Sequence, residues 1–181
     1  MGFPRTICLF ASGAAMLIGL AGPVVASAQA IRIVHAKGSA TVPAVPAAIA
    51  VYDLATLDNL HAIGVEAVAR VPMGPDGKGN FPPYLNPYAD ARYRNIGTLF
   101  EPDIAALQVL KPDLIVIGRR SAKQYDALSG IAPTIDMSSP NKDLAALTTG
   151  NVCKLGQALG HGDQAEKRIA AFEAQAASLH A

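Results

Sequence analysis

Two short runs of apolar residues, at 47–52 and 114–117, constrain the fold of this chain more than any other feature. Continuous apolar runs of this length are typical of strands buried on both faces of a parallel sheet. Asp53 follows the first run at the position of a helix N-cap, and leucines then recur at helical spacing until Gly64. This pattern predicts an α/β fold built on a doubly wound, mostly parallel sheet.

The rest of the chain continues the alternation. We predict a hairpin over 31–42, strands over 65–71, 95–97 and 132–137, and helices over 102–110, 121–128, 142–159 and 164–180. Proline at 102 suits the first turn of its helix, and Ser121 suits a cap.

Residues 72–93 are too rich in proline and glycine for a regular helix or strand. Loops of this length in compact domains are usually functional or disordered. Four aromatic residues favour a functional loop, namely Phe81, Tyr84, Tyr88 and Tyr93. The alternative is a mobile surface loop with its aromatic side chains packed beneath it.

The first 28 residues have the pattern of a secretory signal peptide. Arg5 is followed by a long stretch of apolar and small residues that contains Ala26-Ser27-Ala28, which suits cleavage after Ala28, with a second option after Ala30. A transmembrane helix is the weaker interpretation because glycines and Pro23 interrupt the stretch. We therefore expect a signal peptide at 1–28 and an exported protein, with an α/β region at 31–140 followed by a helical segment at 141–181.

Composition excludes several classes of function. The 15 basic and 14 acidic residues nearly balance, which argues against a nucleic-acid partner. The two cysteines are too few for a disulfide scaffold, and the four histidines are scattered. No metal-binding or catalytic motif is present, so we predict that the protein is not an enzyme. An exported α/β enzyme that uses Ser121 or His61 is the alternative.

Basic residues follow the second apolar run. Arg119, Arg120 and Lys123 come directly after it, while Arg92 and Arg94 flank the proline-rich loop. Guanidinium groups bind carboxylate or catecholate oxygens through paired, charge-assisted hydrogen bonds. Ligands of doubly wound sheets lie at the carboxyl ends of the strands. We therefore expect Arg119 and Arg120, with Tyr52 and Tyr84, to bind an anionic ligand that carries aromatic groups; a solvated helix N-terminus is the alternative.

Several short motifs occur in the order found in one family. They are Thr41-Val42-Pro43, Val51-Tyr52-Asp53-Leu54, Leu57-Asp58-Asn59-Leu60, Ile63-Gly64-Val65, Pro83-Tyr84-Leu85, Tyr88-Ala89-Asp90, Gly97-Thr98-Leu99-Phe100-Glu101-Pro102-Asp103, Leu110-Lys111-Pro112-Asp113-Leu114-Ile115, Arg120-Ser121-Ala122-Lys123 and Ile131-Ala132-Pro133-Thr134. With these motifs in this order, the chain resembles the periplasmic iron–siderophore binding proteins of ABC importers. Other relatives of that family carry haem or cobalamin instead of a siderophore.

The resemblance implies two α/β lobes joined by a long helix, with a ferric siderophore bound between them. It implies a periplasmic location, a ligand-binding role for the α/β lobe at 31–140, no covalent cofactor, and an inner-membrane ABC permease as partner. The resemblance matches Arg120 to the basic residue by which family members contact the anionic ligand. It also suggests that the loop at 81–88 lines the cleft between the lobes.

Two departures from the family pattern accompany the resemblance. The chain stops at Ala181, near the expected end of the linking helix, so we expect a protein limited to the first lobe. The final helix would then expose Ile169, Phe172 and Leu179, a surface for self-association. Relatives carry a glutamate that docks the permease where this chain has Ala105. A remnant without function is a further alternative.

Overall fold

The computed structural model describes residues 30–67, 69–70, 81–138 and 143–179. The predicted signal peptide lies outside the described residues, as do 71–80 of the proline-rich region. The described strands are β1 Ala30–His35, β2 Gly38–Pro43, β3 Ile49–Tyr52, β4 Ala69–Arg70, β5 Arg94–Asn95, β6 Leu114–Ile117 and β7 Thr134–Asp136. The described α-helices are α1 Leu54–Ala62, α2 Ile104–Leu110, α3 Tyr125–Ser129, α4 Leu144–Ala158 and α5 Gly162–Leu179, and 3₁₀ helices cover Pro83–Ala89 and Arg119–Gln124.

Strands β3 to β7 form one parallel sheet in the order β5-β4-β3-β6-β7. The chain moves outward from β3 in one direction, then returns and continues from β6 in the other. The order therefore reverses between β3 and β6, where Tyr52 pairs with Ile117. This confirms the doubly wound parallel sheet. The hairpin of β1 and β2 is also confirmed and forms a separate antiparallel pair.

The core has two parts, one on each face of the sheet. Side chains alternate between the faces along each buried strand. Ile49 and Val51 of β3 pack on the side of the hairpin, α1, α4 and α5. Ala50 and Tyr52 of β3 pack on the opposite side, with α2 and α3. All four residues of β3 and of β6 are buried, as the two apolar runs predict.

Residues 81–93, the described part of the proline-rich segment, are more ordered than the sequence predicts. A 3₁₀ helix spans Pro83–Ala89; Pro83 stands in the first turn, where no N–H is needed, and Pro87 lies inside the helix. Phe81, Tyr88 and Tyr93 are buried. The rings of Tyr88 and His61 meet edge to face with their centroids 5.8 Å apart. The prediction of no helix is therefore wrong for 83–89.

Several other boundaries also differ from prediction. Asp103 caps α2 by accepting from the Ala106 N–H at 2.9 Å, and Pro102 precedes the helix. Residues 119–124 form a 3₁₀ helix before the short α3, so Ser121 is not an α-helix cap. The strand predicted over 65–71 is described only as Ala69–Arg70.

Helix α5 packs on the lobe more closely than the sequence predicts. Ile169 is buried in the same core cluster as Leu155 of α4. The expectation that Ile169 is exposed is therefore wrong, whereas Phe172 and Leu179 are exposed. None of the helices in the described part of the chain is long and apolar enough to cross a membrane.

Candidate functional site

The parallel strands end at one edge of the sheet, which we call the carboxyl edge. Asp53 follows β3 there, Gly118 follows β6, and Met137 follows β7. Strand order reverses between β3 and β6, and ligands of open α/β sheets bind outside such a reversal. The segments that follow β3 and β6 therefore form the candidate site.

Gly118 and Asp53 approach each other closely at the reversal. A Cβ atom on Gly118 would collide with the Asp53 carboxyl group. That carboxyl group caps α1, because it accepts from the N–H and the hydroxyl of Thr56 at 2.8 and 2.9 Å. Only glycine allows the end of β6 to lie this close to the helix cap.

Ser121 holds the start of the second 3₁₀ helix against β3. Its buried Oγ donates to the Tyr52 carbonyl at 2.9 Å and accepts from the Gly118 N–H at 3.1 Å. The Ser121 N–H in turn donates to the Gly118 carbonyl at 3.0 Å. These bonds give the backbone before and after Arg119 and Arg120 a defined geometry.

The structure places Arg119 and Arg120 on this anchored segment, with both side chains exposed. Lys123 is exposed on the same 3₁₀ helix. The segment thus presents three cations to solvent at the carboxyl edge, within five consecutive residues of one rigid turn. A ligand with several anionic oxygens could contact more than one of them.

Tyr52 does not join these cations. Its ring is fully buried, and its hydroxyl donates to the Ile96 carbonyl at 2.6 Å. Burial raises the pKa of Tyr52 above its usual range. We correct the expectation of ligand contact for this residue: the Tyr52 side chain connects β3 to the end of β5 inside the core.

Tyr84 is exposed on the first 3₁₀ helix, as a ligand contact would require. Neighbouring Tyr88 is buried, and burial raises its pKa to about 12. Of the four aromatic residues predicted to favour a binding loop, only Tyr84 presents its ring to solvent. The other three fit the alternative of aromatic side chains packed beneath the loop.

Arg92 is separated from the cations of the carboxyl edge. It precedes β5, at the opposite edge of the sheet, and lies 3.5 Å from the Glu66 carboxylate. Its guanidinium donates to the Tyr93 hydroxyl at 2.9 Å, and this hydrogen bond raises the pKa of Arg92. Arg92 therefore does not lie beside Arg119 and Arg120, because the residues just before β5 lie at the amino edge of the sheet.

Phe100 is an exposed aromatic residue at the carboxyl edge that the sequence analysis missed. It lies in the turn between β5 and α2, is 64% exposed, and its carbonyl accepts from the Gln124 side chain at 2.6 Å. Thr98 Oγ1 accepts from the Glu101 N–H at 2.9 Å and holds this turn in place. The sequence signal that could have identified Phe100 is that it is an isolated aromatic residue in the turn before α2.

Ala105 is exposed in the first turn of α2, beside the same edge. In the described residues, no group of three or more His, Cys, Asp or Glu side chains could hold a metal ion. The described part of the edge thus offers cations and an aromatic ring to a ligand, and no protein ligands for a bare metal.

The sequence matches the family described as periplasmic binding protein over residues 49–181. The chain belongs to this family. It is 38% identical to the petrobactin-binding protein YclQ of Bacillus subtilis over 100 aligned residues. The aligned region covers 55% of this chain and 30% of YclQ. It is 30% identical to the ferric enterobactin-binding periplasmic protein FepB of Escherichia coli, over 91% of this chain and 54% of FepB.

Solved structures agree with this assignment. The periplasmic catecholate-siderophore binding protein VctP of Vibrio cholerae superimposes with a TM-score of 0.74 at 33% identity, over 83% of this chain and 52% of VctP. The chain spans about half or less of the length of each of these proteins. Family membership supports an extracytoplasmic location.

Proposed function

We propose that this protein captures a ferric siderophore for an ABC importer, with Arg119 and Arg120 binding the anionic chelate. One observation carries the proposal. In a chain of the periplasmic binding protein family, two adjacent arginines are exposed on an anchored turn where the strand order reverses.

The chemistry of the arginine pair fits such a ligand. Ferric chelates present several oxygen atoms that carry negative charge, and a planar guanidinium binds two such atoms at once. Because Ser121 anchors the turn, little backbone entropy is lost when the ligand binds. Tyr84 and Phe100 supply exposed rings for the aromatic groups of a catecholate chelate.

The carboxyl edge of a single lobe gives limited affinity for a ferric chelate. An exposed ion pair is worth about 0–1 kcal/mol, and small-molecule sites usually enclose most of their ligand. We therefore propose that tight capture needs a second wall over the carboxyl edge, as the two-lobe arrangement implied by the family resemblance would provide.

The relatives favour a siderophore over the alternatives. YclQ is named for petrobactin, FepB for ferric enterobactin, and VctP for catecholate siderophores. None of these names supports haem or cobalamin. We propose cleavage of a signal peptide after Ala28, function in the periplasm, and docking to an inner-membrane permease without the glutamate that Ala105 replaces.

The enzyme alternative gains no support. Ser121 is fully buried, and its hydroxyl is engaged by the backbone of Tyr52 and Gly118. His61 lies on α1 with its ring against Tyr88. The relatives are binding proteins, and the structure does not bring Ser121 and His61 into a common site.

The test is a titration of the purified chain with a ferric tris-catecholate and, separately, a ferric hydroxamate. The chain has five tyrosines and no tryptophan, so tyrosine fluorescence reports binding. We expect saturable quenching whose affinity weakens about fivefold, or about 1 kcal/mol, in Arg120→Ala. Arg168→Ala is the matched control, because Arg168 is exposed on α5, away from the carboxyl edge.

Two results would contradict the proposal. One is a folded chain that neither chelate quenches. The other is equal weakening by Arg120→Ala and Arg168→Ala, which would mean that attraction is non-specific. Stronger quenching by the catecholate than by the hydroxamate would assign the chelate class.

A further inference from the structure

A pocket beside β7 is separate from the arginine turn. It lies between the end of the hairpin, the end of β7 and helix α4, and has a volume of about 310 Å³. This volume is at the lower end of the range for small-molecule sites. Its lining includes Val34, His35, Asp136, Ser138, Leu147 and Lys154, and neither Arg119 nor Arg120.

His35 forms a buried part of the lining and is only 8% exposed. Its Nδ1 accepts from the Lys37 N–H at 3.3 Å, so the neutral ring carries its proton on Nε2. That Nε2–H is buried and has no hydrogen-bond partner within the described structure. Because a buried donor without an acceptor is unfavourable, this position favours an acceptor supplied by a ligand.

Ser138 supplies a second group of this kind. Its Oγ is buried and also lacks a hydrogen-bond partner among the residues that the structure describes. A carbonyl oxygen has two lone pairs and can accept from two donors. The two unpaired groups, on one pocket lining, therefore match a carbonyl oxygen.

The charges around the pocket select an uncharged ligand. Burial lowers the pKa of His35, the Asp136 carboxylate raises it, and the Lys154 ammonium lowers it. The His35 ring therefore lies near one acidic and one basic group. An anionic acceptor would meet the carboxylate of Asp136, which is buried.

Asp136 has acceptor capacity left for the ligand. Its Oδ1 accepts from the Ser138 N–H at 2.8 Å, and a carboxylate offers about four lone-pair sites in all. An amide N–H could therefore donate to this carboxylate while its carbonyl accepts from the other side chains. Val34 and Leu147 add an apolar wall for a short aliphatic group.

We propose that this pocket binds a small uncharged aliphatic amide, whose carbonyl accepts from His35 and Ser138 and whose N–H donates to Asp136. The proposal is independent of siderophore capture, since it uses different residues and a different ligand chemistry. It can fail while the arginine site stands, and the reverse also holds.

The probe is isobutyramide, titrated into the ¹⁵N-labelled full chain to about 200 mM and followed by NMR. We expect saturable shifts of the Ala36, Ser138 and Asn151 amides and of the His35 Nε2 resonance. Isobutyrate has the same shape and a negative charge, and should bind at least about tenfold more weakly. Titration with N-acetylvaline methylamide distinguishes a peptide backbone from a free amide as the source.

Variants test the assigned contacts. Ser138→Ala removes one donor with little change in volume, and His35→Phe removes the other. Each variant should lower the affinity for isobutyramide at least about fivefold. His61→Gln, on α1, should keep that affinity within about twofold of the parent chain's. Leu147→Trp should block the pocket.

The proposal is overturned if isobutyramide causes no saturable shift at these amides, so that the pocket holds water only. It is overturned equally if isobutyrate binds as well as the amide, or if Ser138→Ala and His61→Gln have the same effect. If His35→Phe does not fold, Ser138→Ala and the isobutyrate comparison still decide the question.

Discussion

At the residue scale, Gly118 sets the geometry of the candidate site. A methyl group there would collide with the Asp53 carboxyl group that caps α1. Relief requires a shift of β6 or loss of the cap, so Gly118→Ala should lower the free energy of unfolding by about 1–3 kcal/mol. Urea denaturation measures the change.

Gly150 is the matched control for this substitution. It lies inside α4, and an added Cβ there has no neighbour within 4 Å. Gly150→Ala should raise the free energy of unfolding by about 0.5–1 kcal/mol, because alanine has the higher helix propensity. A loss of stability at Gly150 equal to that at Gly118 would contradict the steric argument.

His35 gives the protein a pH-dependent stability with a definite sign. Burial lowers its pKa in the folded protein below the usual 6.5. As the pH falls through 6.5, the unfolded chain binds a proton that the folded chain does not, so the free energy of unfolding decreases. The loss is complete only below the folded pKa, and the full contribution is present above 6.5.

Urea midpoints between about pH 5 and pH 8 test this prediction. His35→Gln should flatten the profile, and His61→Gln, on α1, should leave its slope as in the parent chain. An unchanged slope in His35→Gln would mean that other groups cause the pH dependence.

At the element scale, helix α5 packs on the lobe through the turn that contains Ala165 and Ile169, and its later residues are mostly exposed. Ile169 is buried against α4, whereas Leu179, near the end of the helix, is 82% exposed. Ile169→Ala should cost about 2–5 kcal/mol of stability, and Leu179→Ala should change it by less than about 0.5 kcal/mol. Denaturation of both variants by urea compares two apolar residues of the same helix.

Equal, small effects of the two substitutions would show that α5 does not pack on the lobe in solution. The helix pattern predicts both residues as apolar positions, but it does not show which of them meets a neighbour. That depends on where α4 ends and how the turn at Gly160 directs α5 back across the lobe.

At the scale of the whole molecule, self-association through α5 stays a prediction, with a smaller surface than the sequence analysis assumed. With Ile169 buried, the apolar groups left exposed on α5 include Phe172, at 39%, and Leu179. Sedimentation velocity over a range of concentrations should show association that a Phe172→Glu, Leu179→Glu double variant weakens. The same sedimentation profile in both proteins would contradict it.

The arrangement of the whole sheet explains which site residues sequence reasoning could place. Arg119 and Arg120 follow a strongly apolar strand, so their position at the carboxyl edge is readable from local order along the chain. Arg92 stands just before β5, a strand of two residues, and it lies at the amino edge because β5 pairs in parallel with β4. A local pattern carries no information about that pairing.

The amino-acid sequence by itself determined the α/β class, the two buried strands, the hairpin and the Asp53 cap, because each follows from local patterns along the chain or from residues close together in it. Only the tertiary structure decided the burial of Tyr52, the packing of Tyr88 on His61, and the pocket at His35. These features join segments that are far apart in the chain. Their distances are set by strand order and by the packing of helices on the sheet, which are properties of the assembled lobe.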